Sequence, residues 1–300
     1  MVKPLLKWVG GKRQLLPALR PFYPTVFGAY IEPFFGSGAV FFDLVSDGRL
    51  VGHPVMLIDS NPDLIGCYEA VRDTPDAVAD ELERLADAHT RTGRAHYYEV
   101  RDERFNPLRA SRRTADGGIA YSPDLAAMLI YLNRTGFNGL FRVNASGAFN
   151  VPAGRYDRPR IADRERLHAV SAALGADGVT LKRGSFLDAA TLAGADDFLY
   201  IDPPYAPLSE TASFTAYTAP RFGTEEQQAL QQMVIALAHR GCHVLLSNST
   251  APVIADLDDV NDAATRAGLR ALRVPARRAI NSNAARRGPV DEYVITNIGR

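Results

Sequence analysis

Short runs rich in apolar, β-branched and aromatic residues recur along the chain, each bounded by glycine, proline or charged residues. They lie near 29–33 (AYIEP), 55–59 (VMLID), 179–186 (VTLKRGSF), 198–202 (FLYID), 243–247 (HVLLS), 270–278 (RALRVPARR) and 291–297 (DEYVITN). Several are continuous apolar runs, which predicts strands buried on both faces. Helical spacing fills the intervals: Ala39–Ser46 follows the first strand and Thr224–His239 the fourth. Thr224 is suited to cap the second of these, with Glu225 and Glu226 in its first turn. Strand alternating with helix predicts a mostly parallel sheet. The last two strands are joined without a helix, through Asn281–Pro289, and should form an antiparallel hairpin at one edge.

The stretch between the second and third strands carries no strong strand pattern. It reads as helices over 63–71, 75–90, 95–103 and 122–132. That is too long for a loop inside a compact fold. It predicts an inserted helical domain over 63–164, dividing a sheet domain made of 1–62 and 165–300. Thr114-Ala115-Asp116-Gly117-Gly118 is the expected flexible loop.

Composition narrows the class. Hydrophobic residues make up 46% of 300, ample for a core. No apolar run is long enough to span a membrane, and the start lacks the features of a signal peptide. Cys67 and Cys242 are the only cysteines, which suits a reducing cytoplasm. Neither they nor the six scattered histidines have metal-ligand spacing, so no metal site is expected. Net charge is zero, but its distribution is uneven. Arg91–Arg113 holds seven arginines against three acids, Arg134–Arg160 five against one, and Arg266–Gly288 seven against none. Such runs are solvated faces or phosphate contacts; arginine with almost no lysine favours phosphate.

Asp202-Pro203-Pro204-Tyr205 closes the fourth strand, at the edge where open α/β sheets place their chemistry. A carboxylate and a carbonyl fixed by prolines can accept the hydrogens of an exocyclic amine, and the ring can stack on the base that carries it. A plain strand-ending proline turn would use the same residues. Glu32-Pro33-Phe34-Phe35-Gly36-Ser37-Gly38 joins the first strand to a helix, and Asp59 ends the second strand, where a carboxylate can hold ribose hydroxyls. A dinucleotide fingerprint would need glycine where Phe41 stands; the large residue favours an adenosyl ligand without phosphates. In Leu6-Lys7-Trp8-Val9-Gly10-Gly11-Lys12, two glycines between lysines suit an anionic group such as an amino-acid carboxylate, or form an arm anchored by Trp8. From Tyr131 to Tyr156, Asn, Arg and aromatic residues alternate with turn glycines. Arg134, Arg142, Asn138 and Asn144 have the chemistry to read bases, while a glycine-turned hairpin over packed aromatics is the plainer alternative.

These motifs, in this order, resemble the Dam-type DNA adenine-N6 methyltransferases (D12 class, α-group). The likeness runs from Lys7 to about Val294 and includes Asn138-Gly139-Leu140 to Arg142, Phe149-Asn150-Val151-Pro152 to Tyr156, and Ser247-Asn248. It implies a Rossmann-like, S-adenosylmethionine-dependent methyltransferase sheet, mostly parallel and seven-stranded with the last strand antiparallel. The inserted α-helical region would recognise DNA, with a hairpin near 137–152. By resemblance, Trp8, Gly10, Lys12, Phe35, Gly36 and Gly38 line the donor site, with Lys12 near the donor's carboxylate. Asp59 holds its ribose, and Phe186 and Asp188 flank its adenine; Asp202 belongs to both donor and catalytic sites. Lys7 and Arg142 match positions that read the target sequence, and Phe137, Asn138, Leu140, Pro152 and Tyr156 match other DNA-interface positions. Phe137 and Gly184-Ser185-Phe186 depart from the commoner family residues.

The resemblance further implies double-stranded DNA as partner, a GATC or GAT-containing site, S-adenosyl-L-homocysteine as product, no metal, and a monomer acting in the cytoplasm at the nucleoid. Cytosine-N4 methylation uses the same amine logic, often with serine in place of Asp202, and a catalytically silent DNA-binding regulator would keep the same fold. A cytosine-C5 enzyme would need a Pro-Cys nucleophile, and none is present.

Overall fold

In this computed structural model of the chain, the residues described are 1–8, 10–204, 222–249, 262–277 and 289–299. All seven expected strands form: β1 Tyr30–Glu32, β2 Val55–Asp59, β3 Val179–Arg183, β4 Phe198–Ile201, β5 His243–Ser249, β6 Arg270–Arg277 and β7 Pro289–Thr296. They make one sheet of order β3-β2-β1-β4-β5-β7-β6. β1 pairs in parallel with β2 and with β4, and β4 with β5. β7 lies between β5 and β6, antiparallel to both. The expected edge hairpin is thus present, although 278–288 lie outside the described residues. Pro275, which has no N–H to donate, stands in the edge strand β6, where that is tolerated. β1 and β4 are buried along their whole length, as their unbroken apolar sequences require.

Among the described residues the helices are α1 Leu16–Leu19, α2 Ala39–Ser46, α3 Pro62–Asp73, α4 Pro75–Thr92, α5 Arg94–Glu99, α6 Asn106–Ser111, α7 Pro123–Thr135, α8 Arg164–Leu174, α9 Asp188–Leu192, α10 Thr224–His239 and α11 Asp262–Arg266. A π-helical segment, Val100–Phe105, joins α5 to α6. The Asn61 side chain caps α3 by accepting from the N–H groups of Asp63 and Leu64, and Pro62 fills the first position, where its missing N–H costs nothing. One expectation is corrected at α10. Its N-cap is Gly223, whose N–H donates to the Glu226 carboxylate at 2.8 Å, so Thr224 is already inside the helix.

Packing divides the chain into two compact units. One comprises Met1–Gly11, Gly36–Arg49 and Asn61–Arg183. Its centre is α7, buried from Leu125 to Thr135, against which α3 and α4 pack. α4 is amphipathic, burying only the stripe Val78, Ala79, Leu82 and Leu85. The other unit comprises Lys12–Phe35, Leu50–Ser60 and Gly184–Arg300. There α10 lays Leu230, Met233, Val234 and Leu237 on Leu199, Ile201, Val244 and Leu246 of the sheet. Each such side chain contributes about 1.5–3 kcal/mol of burial.

These units group the chain differently from a division at 63 and 164. The reasons are specific contacts that join α2 and the N-terminal arm to the helices. The Tyr68 hydroxyl donates to Ser37 O at 3.2 Å, Arg134 Nη2 donates to Leu5 O at 2.9 Å, and the Lys7 N–H donates to the Asn133 side chain at 2.8 Å.

Candidate active site

Chain order reverses between β1 and β4: from β1 the sheet grows toward β2 on one side, and from β4 toward β5 on the other. Ligands of open α/β sheets sit at the carboxyl ends of such a pair. Glu32 ends β1, and Asp202-Pro203-Pro204 follows β4 at the same edge. Lys12, from the turn of 3₁₀ helix Lys12–Gln14, is 5% exposed and places its ammonium 2.8 Å from Asp202 Oδ1. Ser247 Oγ, at the end of β5, lies 3.2 Å from the same oxygen, and the Tyr200 hydroxyl lies 3.1 Å from Ser247 Oγ. Burial holds the Asp202 carboxyl above the usual carboxylate range; the Lys12 ammonium and the Ser247 hydroxyl pull it down, and the Glu292 charge pushes it up. Resemblance set Lys12 on a donor's carboxylate; in the structure it is paired with Asp202. Tyr205 lies outside the described residues.

Beside this edge is an aromatic group. Phe34 and Phe186 stack with centroids 5.2 Å apart and planes at 19°, and Phe222 meets both edge-on. Gly184 N–H donates to Asp59 O at 3.1 Å, and a Cβ on Gly184 would fall 2.5 Å from Asp188 Oδ2. Only glycine lets the end of β2 and the start of α9 approach in this way. Phe35, expected along the donor site, is 1% exposed and forms core; its neighbour Phe34 is the partly exposed one that stacks on Phe186. Phe34 and Phe222 were not singled out from sequence. The adjacent phenylalanines of Glu32-Pro33-Phe34-Phe35 carried the signal, but not which of the two faces outward.

In the helical unit, Gly36 and Gly38 both have left-handed backbones, and Gly38 caps α2. Gly10 is also left-handed and exposed. Trp8, expected on the donor, stacks on Phe141 at 5.6 Å and 26°, and Phe141 in turn meets Phe149 at 5.7 Å. The expected hairpin exists. Val143 bridges Phe149 and Gly136 bridges Ala153, both antiparallel, and the turn is closed by Gly147 N–H to Asn144 O.

That hairpin is fastened from below. Asn106 both accepts from Phe149 N–H and donates to Phe149 O, at 2.8 and 3.0 Å. Tyr97 and Arg101 both donate to Val151 O. Arg109, paired in a bidentate fork with buried Asp63, also donates to Gly147 O, and Tyr121 completes the Asp63 site.

The expected DNA-reading residues fall into two groups. Lys7 is exposed, with its ammonium 4.4 Å from the centroid of the Tyr156 ring. Phe137 (44% exposed), Tyr156, Arg142 and Pro152 are exposed, and Asn138 and Leu140 partly so. Arg142 is aimed by Asn150, whose side-chain oxygen accepts from its Nε at 2.8 Å. Asn138 has a left-handed backbone at φ 54°. Two residues are corrected. Arg134 is 8% exposed and donates to the carbonyls of Leu5 and Arg160; its guanidinium ties chain segments together, and desolvation lowers its pKa to about 10. The Asn144 side-chain oxygen is taken up inside the turn, accepting from Ser146 Oγ and Ala148 N–H.

A residue that sequence reasoning passed over is Asn133. It is buried and accepts from Lys7 N–H while donating to Lys7 O and Gly139 O. Gly139, at φ 64°, packs so closely that a Cβ would lie 2.5 Å from the Lys7 Cβ.

A sheet with a buried carboxylate at its switch point, together with a fastened hairpin offering Lys and Arg, has the parts of an enzyme that modifies DNA. The profile of the D12 class N6 adenine-specific DNA methyltransferases matches residues 8–277, and the chain belongs to that family. It is a methyltransferase acting on N6 of adenine in DNA. The chain is 36% identical over 301 aligned positions to the type II methyltransferase M1.LlaDCHI of Lactococcus lactis subsp. cremoris, covering 99% of this chain and 96% of that protein. It is 36% identical over 291 positions to the DNA adenine methylase of Escherichia coli K12, covering 96% and 93%. Among solved structures, an rRNA methyltransferase, aviRa from Streptomyces viridochromogenes, aligns over 96% of this chain and 82% of that chain at a TM-score of 0.36 and 14% identity.

Proposed function

We propose that the chain transfers the methyl group of S-adenosylmethionine to adenine N6 within a GATC or GAT-containing duplex site, with Asp202 as the catalytic acceptor. The observation that carries this reading is Asp202 at the switch point, largely buried, with Lys12 and Ser247 on one of its oxygens. The residues also fit the donor. Lys12, at the same sheet edge beside Asp202, belongs to the proposed donor set. Phe34 and Phe186 supply a flat apolar surface, and Asp59 a carboxylate at the end of β2. Trp8, Gly10, Phe35, Gly36, Gly38 and Asp188 complete the proposed donor set. Phe35, in the core, would act by shaping it.

When bound, S-adenosylmethionine supplies an electrophilic methyl group on a sulfonium. The chain's own work is alignment. The adenine amine lone pair is delocalised into the ring. Asp202 and the Pro203 carbonyl, accepting one amine hydrogen each, would draw that pair out of the ring and aim it at the methyl carbon. Alignment of this kind can lower a barrier by about 7–11 kcal/mol. The amine is reached only after the base leaves the duplex, and Tyr205 is proposed to stack on it. Residues 63–164 serve as the target-recognition region. Arg142 within it and Lys7 outside it read bases, while Phe137, Asn138, Leu140, Pro152 and Tyr156 form the surrounding surface. Lys7 joins this face from the N-terminal arm. The enzyme acts as a monomer in the compartment that holds the DNA.

Labelled methyl transfer to duplex DNA, followed by mass analysis of the nucleosides and sequencing of methylated sites, tests the substrate and the sequence. Asp202→Ala should abolish transfer while retaining donor binding by calorimetry. Turnover near that of the unaltered enzyme would overturn the role given to Asp202.

A further inference from the structure

Glu292 belongs to β7, opposite Ser249 of β5, and is 8% exposed. Its Oε2 is shielded from solvent and accepts no hydrogen bond among the described residues. A buried carboxylate oxygen left in this state is costly unless something completes it. Among the described residues the nearest cation is Lys12, at 3.9 Å from that oxygen, just beyond hydrogen-bond range. Lys12 meanwhile sits 2.8 Å from Asp202 Oδ1, which Ser247 also approaches at 3.2 Å. Two donors already occupy the lone pairs of that oxygen, so an amine hydrogen directed at Oδ1 competes with Lys12 for it.

We propose that Glu292 is a positioning residue that draws the Lys12 ammonium off Asp202 as the target amine enters, freeing Oδ1 to accept the amine hydrogen. The displacement needed is small. Lys12 has four rotatable side-chain bonds, and a shift of about 1 Å brings its ammonium to hydrogen-bond distance from Glu292. The ammonium stays between the two carboxylates throughout, so it is itself never left without one. Ser247, backed by Tyr200, keeps Asp202 oriented while the exchange occurs. The inference rests on the catalytic reading of Asp202 given above.

The test is single-turnover methylation of a cognate duplex by Glu292→Gln and Glu292→Asp, with Asp202→Ala in parallel. Glu292→Gln keeps the shape and loses the charge. Its rate at saturating donor and DNA should fall about tenfold or more, with KM for both substrates changed by less than about twofold. Glu292→Asp, which keeps the charge on a shorter arm, should restore part of the loss. A Glu292→Gln rate within about twofold of the unaltered enzyme overturns the proposal. So does a loss confined to donor KM, which would place Glu292 on the donor itself. If Glu292→Gln does not fold, a structure of the unaltered enzyme with duplex and S-adenosyl-L-homocysteine decides: Lys12 hydrogen-bonded to Glu292 supports the exchange, and Lys12 still on Asp202 refutes it. Full activity of Asp202→Ala would remove the underlying reading. An inactive Asp202→Ala beside an unaffected Glu292→Gln removes only this one.

Discussion

Asn133→Ala separates the positioning of the proposed DNA-reading face from its chemistry. Asn133 touches no outward surface, yet it makes three hydrogen bonds, to Lys7 N, Lys7 O and Gly139 O. Alanine leaves all three backbone groups without that partner. Gly139 O is in a buried bond, and stranding it costs about 1–3 kcal/mol. The two Lys7 groups are partly buried and can recover water, so each costs about 0.5–1.5 kcal/mol. The expected destabilisation is about 3–4 kcal/mol, read as a melting temperature lower by about 10 °C. The second effect is on recognition. With its backbone released, Lys7 no longer has a fixed approach to a base edge, and a good base contact is worth about 1–3 kcal/mol of discrimination. Melting curves would therefore be paired with fluorescence-anisotropy titrations of the cognate duplex and of duplexes changed at one base pair, at fixed salt. Affinity for the changed duplexes should hardly move, while the advantage of the cognate one shrinks by about five- to a hundredfold. Discrimination that survives a clear loss of stability would refute the claim that Asn133 aims Lys7. An unchanged melt would refute the hydrogen-bond accounting itself.

Three further outcomes follow from buried charge. Arg109→Met leaves Asp63 uncompensated beside Tyr121 and frees Gly147 O in the hairpin turn; urea unfolding should show a loss of about 3–5 kcal/mol. Because burial raises the Asp202 carboxyl, methylation should fail on the acid side as pH drops through a value above the ordinary ~3.9, where the protonated group can no longer accept the amine hydrogen. The Glu292 charge pushes that value up, so the acid limb of a pH–kcat profile should move to lower pH in Glu292→Gln.

Much of the sheet was legible because its middle is buried on both faces. Phe198-Leu199-Tyr200-Ile201 has no polar alternation to confuse with a helix stripe, and a strand of that kind has few alternatives. α8 was not legible. Its buried stripe, Leu167, Val170, Ala173 and Leu174, has helical spacing but is short and alanine-diluted, and its fixed start comes from Asp163 accepting the Arg166 N–H. Arg134 and Arg142 look alike in sequence, both in a basic, turn-rich stretch. What separates them is tertiary: one has inward carbonyls to bind, the other has Asn150 holding it at the surface. The pairing of Lys12 with Asp202 joins residues far apart in the chain, and no local pattern encodes it. Glu292 did leave a trace, as a charged residue whose alternate positions in the strand, Val290 and Val294, are apolar.

β7 completes the sheet from the inside. Because it runs against β5 and separates that strand from β6, the two strands synthesised before it have no direct pairing with each other. A nascent chain that has already emerged through β6 therefore carries an edge strand without its neighbour and a Lys12–Asp202 pair without the second carboxylate. β6 takes its place in the sheet only once residues 289–296 have been made, so this half of the molecule cannot complete its sheet before they emerge.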